Sequence, residues 1–535
     1  MSASAPAVSS AASPSPAPLA ARCPRPLLGV TAVLLGAFLS SLNTRLTTFG
    51  LADIRGGMGL GFDEGSWLTT VFGAAQMVAA PSAAWLSMAI GTRRFLLWTS
   101  VIFALTSLMI PFTRDYGTII ALQVVRGLAV GAFIPASLGF ILRSLAPQWW
   151  IWGLAAYAFR FVFSQNIAGS LEAFYTESGV WQWIFWQNAL LTPVMTALVW
   201  YAMPREGVNR TLLRQTDWRG LTLVGVGLGL IYAGIDQGNR LDWLNSGIVS
   251  GLLAGGGLLV ISFIATELTA ENPLIRLRVV GKRNVWLSAV LISIYGFGVT
   301  ATAFVLPDYL TRVQGLRDLQ IGDVLNWVAL PQFVFVPLAA VLLRRVDARL
   351  LVGIGFALIA YSSWLNTGLT HDWAGDDFLP SQIAGAIGLA FGITALIVFG
   401  VANITPAEAP TIAAVIQIGR LFGNELGTAL IQTYVRVREQ VYSNLTGLHF
   451  IVGSHRSDSA VATTSSLFAA RPIGAGDPTL QGLAGIGDLI RREAYVLAYI
   501  DGFWIIAWVM AGGIVLLLLL RSPPANPLTP PRSDL

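Results

Sequence analysis

Charge is what this chain of 535 residues has least of: Asp, Glu, Lys and Arg together make up 11% of it, against 55% hydrophobic residues. A soluble domain carries about 25% charged residues, so a water-soluble globular protein is excluded. Lysine is almost absent, Lys282 standing alone among arginines. The single cysteine, Cys23, excludes an intrachain disulfide and a cysteine metal cluster. The three histidines, His371, His449 and His455, fall in expected loops, and no HExxH, Walker loop or GxSxG elbow stands in a usable context. No enzyme, cofactor or metal site is therefore expected. The formal net charge of +5 belongs to basic loops rather than to a nucleic-acid surface.

What the chain does have is a succession of apolar runs, each about the ~20 residues a helix needs to cross a bilayer. Lipid offers the backbone no hydrogen-bond partner, so such runs must be helical. Fourteen spans are expected, near 27–49, 66–90, 95–112, 117–142, 149–171, 182–203, 219–237, 246–266, 285–306, 321–343, 350–369, 380–402, 411–433 and 498–520. Residues 1–26 are rich in Ala, Ser and Pro and read as a disordered tail, and residues 521–535 as a cytoplasmic tail. The run after Arg25 is too long for the apolar core of a signal peptide and is taken as the first span. With the N-terminus inside, the inner segments hold eighteen Arg and Lys and the short outer loops five, namely Arg55, Arg114, Arg240, Arg312 and Arg317. That bias places both termini in the cytoplasm.

The basic connector after residue 203 separates a first unit, 27–203, from a segment 204–284 with two further spans and a second unit, 285–520. Residues 434–497 form one long outer segment, polar and Ser/Gly-rich. It reads as a solvated loop, with 482–499 able to form a short interfacial helix.

Several motifs occur in a telling order: SWLTTVFGAAQMVAAPSAAWL (66–86), WQWIFWQN (181–188), DQGNRLDWLNS (236–246), ENPLIRLRVVGKRN (271–284) and GRLFGNELG (419–427). Together they resemble the major facilitator superfamily, in particular its fourteen-span drug:proton antiporters of the EmrB/QacA type, over about residues 27–520. The resemblance implies an all-α polytopic fold: two six-helix bundles, two inserted helices between them, and a central path opening alternately to either side. For such exporters it also implies protons as a partner and, in double-membrane bacteria, a periplasmic adaptor and an outer-membrane channel.

The departures from the family pattern locate the candidate residues. After span 2 the glycine-acid-basic turn survives as WLSMAIGTRR (85–94), with Gly91, Arg93 and Arg94 but no carboxylate. In span 1 an Asp-Thr pair is replaced by LNTRL (42–46), so Asn43 stands for the acid and Arg45 follows. Arg45 either faces a cavity or snorkels to the surface. Span 4 exchanges its two polar groups, giving Gln123 and Arg126 on one helix face, followed by Gly127 and Gly131 as packing positions. Span 5 has lost its glycine/proline signature: SQNIAGSLEAF (164–174) offers Gln165, one close-approach glycine at Gly169, and Glu172. Arg160 lies about 18 Å along that helix from Glu172, out of pairing range. Gly419, Gly423 and Gly427 form a packing stripe in span 13, beside Gln417, Arg420, Asn424 and Glu425.

Asn43, Arg45, Gln76, Gln123, Arg126, Arg160, Gln165 and Arg420 are thus expected around a substrate cavity, with Glu172 and Glu425 as proton carriers. The function implied is proton-coupled export of amphipathic or aromatic compounds across a bacterial inner membrane. Arg45, Arg126 and Arg160 would give the first bundle a positive lining suited to anionic or neutral substrates. A dedicated exporter or importer of one metabolite, such as a siderophore, is the competing transport reading. A polytopic membrane enzyme or sensor would need a metal or nucleophile cluster at membrane depth, and none is present.

Overall fold

The computed structural model describes residues 24–214, 216–269, 277–403, 408–451, 453–470 and 477–521. Cys23, most of the two expected tails, and residues 271–276 of the fourth motif lie outside them. Among the described residues every regular element is helical. The first unit holds α1 (Pro26–Phe49), α2 (Leu51–Met58), α3 (Phe62–Ile90), α4 (Thr92–Met109), α5 (Tyr116–Gly131), α6 (Phe133–Ser144), α7 (Trp150–Glu177) and α8 (Trp183–Ala202). After the short α9 (Arg210–Arg214) come α10 (Trp218–Gly238) and α11 (Gly247–Thr269). The second unit follows the short α12 (Leu277–Val280). It holds α13 (Arg283–Thr300), α14 (Leu306–Arg312), α15 (Asp318–Ala329), α16 (Gln332–Leu342), α17 (Ala348–Leu365) and α18 (Leu379–Ala402), then α19 (Ala409–Gly447), α20 (His455–Ala470) and α21 (Pro478–Leu517).

Eleven of the fourteen expected spans coincide with helices long and apolar enough to cross a membrane. The other three, 149–171, 182–203 and 411–433, coincide with α7, α8 and α19. Polar side chains dilute the apolarity of these helices, and α7 and α19 carry the candidate site. We call the face where α1 begins and α21 ends the near face, and the opposite one the far face.

Small residues set the helix spacing. A Cβ on Gly127 would meet the Phe72 carbonyl oxygen at 2.6 Å, and one on Gly131 the Gln76 Cα at 2.8 Å, so α5 lies against α3 backbone to backbone. In the second unit a Cβ on Gly423 would meet the Ser293 Cα at 2.5 Å, which fixes α19 on α13. Between α13 and α14 the chain makes a π-helical turn, Ala301–Val305, just before Pro307. The wide turn and the proline's missing N–H leave carbonyls there open to other donors.

Two placements differ from the sequence expectation. The outer segment 434–497 is largely helical rather than a loop: α19 runs on to Gly447, α20 follows, and α21 begins at Pro478. Arg438 donates to Asp501 (2.7 Å), which also accepts from Tyr442 (2.8 Å), so the α19 extension is held against α21 by buried-edge polar contacts that composition does not reveal. The inserted helix α10 packs on α3 of the first unit and on α19 of the second, so it bridges the two bundles.

Candidate substrate and proton site

The first bundle contains a closed polar shell. Arg126 is fully buried, and its guanidinium donates to Ser107 (3.2 Å), to Gln123 (2.9 Å) and to the Asn43 side chain. Asn43 and Asn188 exchange amide hydrogen bonds, tying α1 to α8. The rings of Phe72 and Phe185 lie 4.7 and 4.9 Å from the guanidinium carbon. Five N–H donors and a flat cation face suit such a cage of neutral acceptors and rings. The structure thus places Asn43, Gln123 and Arg126 inside the bundle, off the cavity wall. Arg160 is buried too, donating to Ser41 (2.6 Å) and lying over Tyr157. Gln76 donates to Thr44 (3.0 Å).

Between the bundles lies a cavity of ≈130 Å³ lined by Arg45, Gln165, Tyr232, Asp236, Arg420 and Glu425, among others. Drug-sized ligands occupy about 300–1,000 Å³, so the path is constricted here. Arg45 reaches across it, donating to the carbonyl of Ala303 in the π-helical turn (2.7 Å). Arg420 donates to Gln417 (3.2 Å) and lies 4.7 Å from the Phe161 ring, a contact between the second bundle and the first. The positive lining expected from Arg45, Arg126 and Arg160 is corrected accordingly. Arg45 and Arg420 line the cavity, and the carboxyl groups of Asp236 and Glu425 stand beside them.

Asp236, Tyr232 and Thr70 are contributions that sequence reasoning missed. Asp236 falls at the end of the expected span 219–237 and opens the motif 236–246, where it is not singled out; α10 runs past it to Gly238 and carries it inward. Tyr232, one turn earlier on the same face, donates to Glu425 (2.7 Å), and Thr70 of α3 bonds Asp236. The Asp236 and Glu425 carboxyl groups thus line the same small cavity, joined through Tyr232 one turn from Asp236. A second cavity of ≈500 Å³ opens towards the far face between Phe62, Arg240, Arg312, Arg436 and Tyr495. Thr69, Asp236 and Gln432 line both cavities and form the partition between them.

Glu172 sits elsewhere, at the far end of α7. It is buried, no donor reaches its oxygens, and the groups facing it are Asp53 of α2 and Asp318 of α15. The three carboxyl groups have oxygens within 4.8 Å of one another. Beside them, a Cβ on Gly322 of α15 would meet the Ser170 backbone N at 2.6 Å, so the two bundles touch there. Gly169 makes only ordinary contacts, 3.5 Å to Gly322 Cα.

Two bundles, a bridging helix pair and a polar path between them are the architecture the motifs implied. The model of the Major Facilitator Superfamily matches residues 33–428. The chain belongs to that superfamily. It is a multi-pass membrane transporter, not an enzyme. It is 26% identical to the probable multidrug resistance protein EmrY of Escherichia coli over 364 residues, 67% of this chain and 69% of that one. To the multidrug export protein EmrB of the same organism it is 22% identical over 499 residues, covering 91% and 93%. To the colistin resistance protein EmrB of Acinetobacter baumannii it is 24% identical over 406 residues, covering 75% and 78%. In fold it is similar to the proton:xylose symporter XylE, with TM-score 0.56, 12% identity, and 92% and 95% of the two chains covered. It is also similar to the human organic anion transporter MFSD10, with TM-score 0.53, 14% identity, and 91% and 100% covered.

On the near face the superfamily's glycine-acid-basic turn has its carboxylate supplied from elsewhere in the chain. Gly91 takes φ +95°, a left-handed conformation that favours glycine. The next amide, Thr92 N–H, donates to the Glu206 carboxylate (2.8 Å), and Arg143 donates to the Thr92 hydroxyl (3.0 Å). Arg93 lies 4.6 Å from the Trp200 ring. Glu206 belongs to the basic connector, which explains how WLSMAIGTRR keeps its turn with no acid of its own.

Proposed function

We propose that this transporter exports amphipathic or aromatic compounds by alternating access, driven by proton flow in the opposite direction. It would work in a bacterial inner membrane with both termini cytoplasmic, as the arginine bias favours. The observation that carries the reading is Glu425, a buried carboxyl group on the wall of the cavity between the bundles, which Arg420 of the same helix also lines. An ionisable group at membrane depth is costly unless it is used, and here it stands where a substrate must pass. The relatives named for multidrug export and colistin resistance support the substrate class.

Cavity charge gives no ground for preferring anions, since two guanidinium groups face two carboxyl groups. The polar extension built from the end of α19, α20 and the start of α21 projects on the far face, where a periplasmic adaptor leading to an outer-membrane channel would dock. Everted membrane vesicles energised by respiration provide the test: uptake of ethidium and of salicylate is followed with and without a protonophore. Protonophore-sensitive uptake of at least one compound is expected. Its absence for a panel of aromatic cations, acids and neutral drugs would reject proton-coupled drug export in favour of a dedicated metabolite transporter.

A further inference from the structure

The inserted helix α10 is fixed to one bundle by close backbone packing and to the other by a small apolar cluster and polar bonds. On α3, glycines let it sink: a Cβ on Gly225 would meet the Val78 carbonyl oxygen at 2.9 Å, and one on Gly229 the Ala74 carbonyl oxygen at 3.2 Å. Backbone contact of that kind makes α10 part of the first body. Towards α19 its links are the apolar contact of Leu228 and Tyr232 with Leu421 and the hydrogen bond from Tyr232 to Glu425 (2.7 Å); just past the end of α10, Trp243 bonds Thr433 (2.8 Å). Asp236 and Glu425 face one small cavity, and since a carboxylate has no donor, they can bond each other only when one of them carries a proton. Without it, two negative charges face each other across the junction of bodies that must rock apart.

We propose that Asp236 of the inserted helix and Glu425 of α19 together hold the single transported proton, and that this proton latches the first bundle to the second. The proposal rests on the proton-coupled export reading and names its proton site. Asp236 also lines the far-face cavity, so a proton arriving from that side meets Asp236 first and Glu425 behind it. The groups around the pair fit the role. From α3 comes Thr70, which bonds Asp236; from α10 come Tyr232 and Gln237 and, just past its end, Arg240, which is engaged by Gln237 (2.6 Å) and by Asp63. From α19 comes Arg420, and from α1 Arg45, bonded to Ala303. No cation is bonded to either carboxyl among the described contacts, so the proton is the group that joins them. When it leaves towards the near face, the latch is lost and the bodies separate around the cavity, where Arg420 becomes available to an anionic or polar substrate group.

The test uses the full chain in proteoliposomes, with ethidium and salicylate as probes, comparing wild type with Asp236→Asn, Glu425→Gln and Asp236→Glu. Two activities are read: accumulation driven by a pH gradient, and probe counterflow, which needs the rocking motion but no net proton movement. Asp236→Asn and Glu425→Gln are each expected to lose far more of gradient-driven accumulation than of counterflow, and Asp236→Glu to regain accumulation. Infrared spectra of the substrate-free protein should show a protonated-carboxyl band that either single substitution removes. Wild-type accumulation in Asp236→Asn, loss of counterflow together with accumulation in it, or a carboxyl band insensitive to it would each overturn the pair. A wild type that accumulates neither probe would instead overturn the export reading, and the infrared result would still decide the pair.

Discussion

The glycine stripe of α19 offers a graded prediction. A Cβ on Gly423 would meet the Ser293 Cα at 2.5 Å and its carbonyl carbon at 2.7 Å, both backbone atoms that no side-chain rotation can move. Ordinary contact begins near 3.4 Å, so Gly423→Ala must push α19 and α13 apart by almost 1 Å. A gap of that size forfeits a quarter to a half of each contact's attraction along the crossing. Overpacking costs about 1–3 kcal/mol, offset by up to about 1 kcal/mol of helix propensity. At Gly419 the nearest atoms lie at 3.2, 3.4 and 3.6 Å, so Gly419→Ala needs only a few tenths of an ångström and should be near neutral. Gly427 falls between, because its 2.6 Å neighbour is the Thr300 hydroxyl, which can rotate. Thermal unfolding in detergent should therefore rank the alanine variants 423, 427, 419 from least to most stable. Transport should fall with the first, since α19 carries both Arg420 and Glu425. A Gly419→Ala protein less stable than Gly423→Ala would refute the packing account.

Substitutions at three other positions test named contacts. Arg126→Lys should destabilise more than Arg126→Met, because one ammonium cannot serve the Ser107, Gln123 and Asn43 acceptors together, whereas a flexible apolar chain fits between the rings; detergent melting curves give the order. Arg45→Ala removes a charged donor from the Ala303 carbonyl (2.7 Å), a bond worth about 1.5–3 kcal/mol, and should be read as faster far-face labelling of Thr302→Cys by an impermeant maleimide in a Cys23→Ser background. Glu206→Ala strips the acceptor from Thr92 N–H, and a loss of about 1 kcal/mol is expected, as for other capping carboxylates; unchanged melting would show that the near-face turn does not need its borrowed acid.

Lengths and apolar runs made the helices legible, because lipid leaves the backbone no alternative. The polar segment after Thr433 was not legible. Its Ser and Gly content signals a loop, and what makes it helical is pairing between distant residues, Arg438 with Asp501 and Gly482 against Ser465, which is 2.9 Å from a Cβ there at its backbone N. At the site, Glu425 could be picked out as a carboxyl within an apolar run. Asp236 could not, since it stands two residues before a helix end and next to a polar motif; only its spacing from Tyr232 hinted at a shared face. Arg126 was legible as buried, but its confinement behind Phe72 and Phe185 depends on how α3 and α8 cross α5. Glu206, more than a hundred positions beyond the span it supports, gave no local sign at all.

The far-face trio turns charge counting into a conformational prediction. Asp53 and Glu172 belong to the first bundle and Asp318 to the second, so closing the α7–α15 seam brings like charges within 4.8 Å. Two ionised carboxylates at that distance repel by about 3 kcal/mol at an effective dielectric of 20. Asp53 and Asp318 are open enough to water to cut this to roughly 1 kcal/mol. The tight Gly322–Ser170 contact opposes that repulsion, so the seam is balanced and its state should follow the charge of the trio. Asp318→Asn removes the cross-seam repulsion with Asp53 and should raise the ratio of closed to open seams about fivefold at neutral pH, since ~1 kcal/mol corresponds to that factor. Spin labels on Gly56→Cys and Thr311→Cys, in a Cys23→Ser background, would report it as a shift towards the shorter inter-bundle distance. Acidifying the wild type should produce the same shift, and the Asn variant should respond less. A longer distance in Asp318→Asn, or an equal pH response in both proteins, would show that the three carboxyl groups do not bear on opening.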